Sequence, residues 1–134
     1  MYAATANLWV ARDKLRSFLI EHELLIQAEL ELTIAYDLME SRWKIWNSIF
    51  WKRSNAATQR SVRNQLEGLT FDARTSLLNA GKLCNRYFDL HGISDDNQEL
   101  WVAIIHNLHR ANNLIIEDYY HDSSFKQLKL ELQI

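Results

Sequence analysis

At 134 residues the chain is long enough for one domain with one core. Its 48 % hydrophobic and 24 % charged content excludes intrinsic disorder, and the absence of proline with only three glycines excludes collagen-like and Pro-rich classes and counts against a turn-rich β-sandwich or barrel. A net charge of −2 and a single cysteine, Cys84, give no overall basic character and no intrachain disulfide framework.

No stretch approaches the roughly 18 uncharged apolar residues of a membrane span, and Met1 to Trp9 lacks the basic start and apolar run of a signal peptide. An intracellular, cytoplasmic protein is therefore expected. Stepping by three and four from Leu8 gives Leu8, Ala11, Leu15, Phe18, His22, Leu25, Glu29, Leu32, Tyr36, Met39, Trp43, Trp46 and Phe50, eleven of which are apolar or aromatic. No glycine or proline interrupts this heptad-compatible stripe, which predicts one long helix over 4–52, ~70 Å in length at the usual rise. A turn near Thr33 would fold it into a hairpin instead. The seam of an unbroken helix of this length exceeds what the rest of the chain can cover. It implies a homo-oligomer or a larger protein complex, with Leu15, Phe18, Leu25, Leu32 and Met39 at the interface.

Ser54 or Asn55 is expected to cap a second helix over 55–67, closed by Gly68. Thr70 is expected to cap a third over 71–91, ending at His91-Gly92. Asp96 with Glu99 three residues on reads as a capping box for a fourth, over 96–120. The result is an all-α, four-helix bundle-like architecture in a single domain, 1–134. Its tail, 123–134, includes Leu128 to Ile134, which alternates apolar and polar residues as a strand would. Phe125, Leu128 and Leu132 also share one helical face, so a short amphipathic helix is the other option.

Charge is unevenly distributed. Residues 1–40 carry seven acids and three bases, residues 67–134 ten acids and six bases, and residues 41–66 six bases with no acid. Those six are Arg42, Lys44, Lys52, Arg53, Arg60 and Arg63, interleaved with Trp43, Trp46, Phe50 and Trp51. Cations beside exposed rings suit RNA or single-stranded DNA, because phosphates are neutralised and bases stack. An anionic membrane surface or an acidic protein partner would meet the same segment. Trp43, Trp46 and Phe50 fall on the heptad stripe and are expected in the core. Trp51 falls off it and is the ring expected to face a ligand.

For chemistry, Arg86 and His91 enclose four residues, Tyr87-Phe88-Asp89-Leu90, at the end of a helix and before a last amphipathic one. This resembles the R-x4-H element of HEPN-domain ribonucleases. The resemblance implies an all-α dimer in which His91 acts on the ribose hydroxyl or leaving group while Arg86 steadies the phosphate. Tyr87 stands where that family usually has a small polar residue, and Asp89 adds a negative charge inside the element. His106-Asn107-Leu108-His109-Arg110 loosely resembles the phosphorylated helix of histidine phosphotransfer domains, with Arg110 where those need a small residue. His106/His109 and Glu117/His121 have helix spacings that supply two metal ligands each, but no Glu-x-x-His element occurs. With no Gly-rich phosphate loop, nucleophile elbow or zinc-type Cys/His spacing, neither cofactor nor metal is expected. The leading expectation is thus a non-enzymatic interaction or assembly protein whose segment 42–63 contacts nucleic acid or an acidic partner. A HEPN-like endonuclease is the alternative.

Overall fold

A computed structural model describes residues 3–17 and 22–122. The helices are α1 (Ala3–Ser17), α2 (Glu23–Asn47), α3 (Ile49–Lys52), α4 (Ala56–His91) and α5 (Gln98–Asp122). No strand occurs among the described residues. Phe18 and the tail 123–134 lie outside them.

The stripe from Leu8 to Phe50 is not one helix. It is interrupted at His22 and again at Ser48, neither of which carries helical backbone angles. At the first break the His22 imidazole Nδ1 accepts a hydrogen bond from Leu24 N at 3.2 Å, and the His22 carbonyl accepts from Leu25 N and Ile26 N. Histidine thus does the work usually done by serine or asparagine, satisfying the orphan donors that open a helix. Helix α2 then runs unbroken through Thr33, whose hydroxyl merely donates back to Glu29 O. The chain doubles back before α2, not at Thr33.

At the second break the free carbonyls of α2 are satisfied without glycine. Asn47 Nδ2 donates to Trp43 O at 2.8 Å, and Ile45 O accepts from both Ser48 N and Trp51 Nε1. Downstream, the two helices expected over 55–67 and 71–91 are one. Asn55 caps it through Thr58 N, as expected, but Gly68 and Thr70 are interior. Leu66, Ala73, Leu77, Ala80, Cys84 and Phe88 keep one buried stripe in phase across Gly68, and this outweighs the ~1 kcal/mol that glycine costs a helix. The Thr70 hydroxyl donates to Leu66 O inside the helix and caps nothing.

Helix α4 ends at Gly92, whose φ of +71° and ψ of 170° favour glycine. The turn into α5 is tied by Asn97, not by an Asp96 capping box. Its Oδ1 accepts from Ser94 N at 2.7 Å, its Nδ2 donates to Gly92 O, and its carbonyl accepts from Trp101 N.

The four long helices pack in a cycle: α1 on α2, α2 on α4, α4 on α5 and α5 on α1. Trp9 meets Tyr36 between α1 and α2, and Arg16 pairs with Glu29 across the same interface. His22, opening α2, touches Tyr87 and His91, which close α4, so α2 and α4 are antiparallel. Phe88 meets Trp101 at 4.9 Å between α4 and α5.

The core enclosed by this cycle contains Leu8, Leu15, Leu25, Leu32, Met39, Leu77, Ile104, Leu108 and Ile115, all within 1 % of complete burial. This corrects the expected interface. Leu15, Leu25, Leu32 and Met39 are covered by their own chain, because the break at His22 lets α1 fold back and share the seam. Nothing is left on these four side chains for a second copy to bury. No helix among the described residues is long and apolar enough to cross a membrane.

Candidate polyanion-binding corner

Segment 42–63 forms one corner of the molecule: the end of α2, all of α3 and the start of α4. The corner is heavily braced. Besides the bonds to Trp43 O and Ile45 O, Arg53 N and Ser54 Oγ both donate to Phe50 O. Gln59 Nε2 donates to Lys52 O at 2.9 Å and to Ser54 O at 3.0 Å, which pins α4 to the connection it leaves. A segment with neither glycine nor proline is thereby held in a sharp, defined turn.

The phase of the helix changes at Ser48, and this reverses the expected roles of the aromatic residues. Trp51 is buried, with only 7 % of its surface exposed, and it donates its indole N–H inward. Phe50 faces outward at 80 % exposure. Trp43, also expected in the core, is 39 % exposed although it precedes Ser48 on α2, so the stripe had already drifted off the buried face before the break. Extending the heptad stripe across Ser48 therefore assigns both Phe50 and Trp51 to the wrong side. Trp46 lies half-buried against Trp51, ring centroids 5.7 Å apart.

Cations flank the Trp46–Trp51 pair. Lys52 Nζ lies 4.7 Å from the Trp46 centroid and 5.6 Å from that of Trp51. The Arg63 guanidinium is 6.0 Å from Trp51, and that of Arg42 is 5.5 Å from Trp46. Contacts of this kind hold long, flexible side chains in place and keep positive charge beside the rings. Arg42 is itself buried, only 3 % exposed, and so supports the corner from within instead of meeting a ligand. Trp51 is likewise a support. Of the seven residues assigned to this contact surface, Lys44, Lys52, Arg53, Arg60 and Arg63 are exposed.

The alternative pair lies elsewhere. Arg86 and His91 are both exposed on the closing turns of α4. Five residues apart on one helix, they are rotated about 140° from each other, so one chain does not converge them. The His91 ring lies against Tyr87, centroids 4.6 Å apart, and meets His22 edge-on at 4.8 Å. His22, which the stripe placed in the seam, is thus a helix cap at this end. Sequence spacing could not reveal the cluster, because its members belong to different helices.

His106 and His109 are exposed on α5. No group of three or more metal-capable side chains occurs among the described residues. Cys84 is buried in the core, and desolvation pushes its thiol up to about 12, the opposite of an activated nucleophile. Comparisons with family models, curated proteins and solved structures found no match for this chain.

Proposed function

We propose that the protein is a non-enzymatic interaction protein whose basic corner captures a polyanion, either nucleic acid or an acidic protein segment. The observation that carries this reading is the exposure of Lys44, Lys52, Arg53, Arg60 and Arg63 on a segment, 41–66, that contains no acid. Elsewhere the chain is acidic, so the field is local to this corner and orients a charged partner toward it. The test is salt-dependent retention on a polyanion such as heparin. Arg60→Glu with Arg63→Glu should abolish retention at moderate salt. Unchanged retention by that variant would refute the reading.

Assembly with a second copy belongs to the same proposal, but on a different surface. Ile26, Leu30 and Ile34 stand exposed at i, i+4 and i+8 on the outer face of α2. This stripe, not the Leu25–Leu32–Met39 seam, is an apolar surface open to a partner. If the protein self-associates through it, Leu30→Glu should lower the molar mass in solution to that of one chain.

The ribonuclease reading rests on the exposed position of Arg86 and His91 at the end of α4. It requires two chains to bring these residues together. Loss of RNA cleavage in a folded His91→Ala protein would support it over the binding reading.

A further inference from the structure

The chemistry of the corner is narrower than positive charge alone, and an inference that rests on the polyanion reading follows from it. We propose that the occupant is a single-stranded nucleic acid, with a base stacked on Phe50 and its phosphates neutralised by the exposed cations of the corner.

Phe50 is the most exposed large apolar side chain among the described residues, at 80 %. Its surroundings are not loose. Its carbonyl accepts from Arg53 N and Ser54 Oγ, and its neighbour Trp51 is anchored to Ile45 O. An outward ring on a braced backbone is a preorganised stacking surface that costs little further ordering when a base is placed on it. Exposed cations precede and follow it in the chain: Lys44 on α2, Lys52 and Arg53 after it. A strand stacked on the ring therefore lies against a segment that carries exposed positive charge and no acid.

Duplex DNA or RNA keeps its base faces stacked internally and offers only edges and phosphates, so an exposed phenyl ring gains nothing from it. An acidic peptide would use the cations and leave the ring wet. An anionic bilayer would use both, but insertion calls for a broad apolar face, and α3 presents one fully exposed ring. Stacking plus charge neutralisation uses both the exposed ring and the exposed cations of the corner.

The experiment is fluorescence anisotropy of the full chain with labelled oligo(dT) and oligo(U) of about 15 nucleotides, and with a duplex of equal length. Single strands of either sugar should bind, with affinity falling as salt rises, and more tightly than the duplex. Phe50→Ala should weaken single-strand binding about tenfold or more with little change in salt slope, and Phe50→Trp should restore it. Phe50 covers no core, so an unchanged melting temperature certifies that Phe50→Ala is folded. Equal binding of duplex and single strand, or unchanged affinity in Phe50→Ala, would overturn the inference. So would capture of phosphatidylserine vesicles or polyglutamate in place of the oligonucleotides. Polyglutamate retention that disappears in Arg60→Glu with Arg63→Glu, without oligonucleotide binding, would sink the single-strand inference and leave the polyanion reading standing. Retention on none of these probes would remove both.

Discussion

The imidazoles of His22 and His91 meet edge to face with centroids 4.8 Å apart, joining the first residue before α2 to the last residue of α4. One side chain therefore ends the α1–α2 corner and also fastens it to a distant helix terminus. His22→Ala removes both the cap on Leu24 N and the ring contacts. It is expected to destabilise the protein by about 1–2 kcal/mol. His22→Asn keeps a capping oxygen and loses the rings, so its loss should be smaller. Chemical denaturation of the three proteins at one pH separates the two contributions.

Leu32 distinguishes a core seam from an interface. Fully buried within its own chain, it should cost about 2–5 kcal/mol on replacement by alanine, and Leu32→Asp should leave the chain largely unfolded. Circular dichroism and light scattering on the same samples check this. A well-folded Leu32→Asp protein of reduced molar mass would mean that the residue faces a second copy.

The two glycines that bracket much of α4 should respond in opposite directions. Gly68 is an exposed helix-interior residue with nothing within 4 Å of an added Cβ, so Gly68→Ala should stabilise by about 0.5–1 kcal/mol. Gly92→Ala also meets no steric obstacle, yet its φ of +71° strains any other residue, at a cost of about 1–3 kcal/mol. Denaturation midpoints give both signs directly.

Cys84 makes stability depend on alkaline pH. Its thiol is raised by burial from 9.0 to about 12, so between these values the unfolded chain loses a proton that the folded chain keeps. The contribution is complete below pH 9 and declines as pH rises toward 12, by about 1.4 kcal/mol per unit. Subtracting the pH profile of Cys84→Ala from that of the parent isolates this slope. The same burial predicts that a thiol reagent labels Cys84 at neutral pH only as fast as the chain opens.

Composition alone made the helical class legible, since a chain without proline and with three glycines has few ways to turn. Periodicity likewise identified the buried residues well: Leu8, Ala11, Leu15, Leu25, Leu32 and Met39 are all core. What it could not show was whose core. A period of 3.5 residues records which face is apolar, and it reads the same whether that face meets a second chain or the same chain folded back.

That choice was made at His22 and Ser48, by hydrogen bonds from side chains that are not usual helix breakers. His22 capped Leu24 N, and the indole of Trp51 took up a carbonyl of α2. The candidate corner divides in the same way. Its charge could be counted along the sequence, because charge does not depend on rotation about a helix axis. Which ring faces water does depend on it, and the restart of the helix at Ser48 turned Trp51 inward and Phe50 outward. Sequence determined a helical protein with an apolar seam and one basic segment. Tertiary structure decided that the seam closes on itself and that Phe50 is the ring turned furthest outward, because both depend on where the backbone is interrupted and on contacts between residues far apart in the chain.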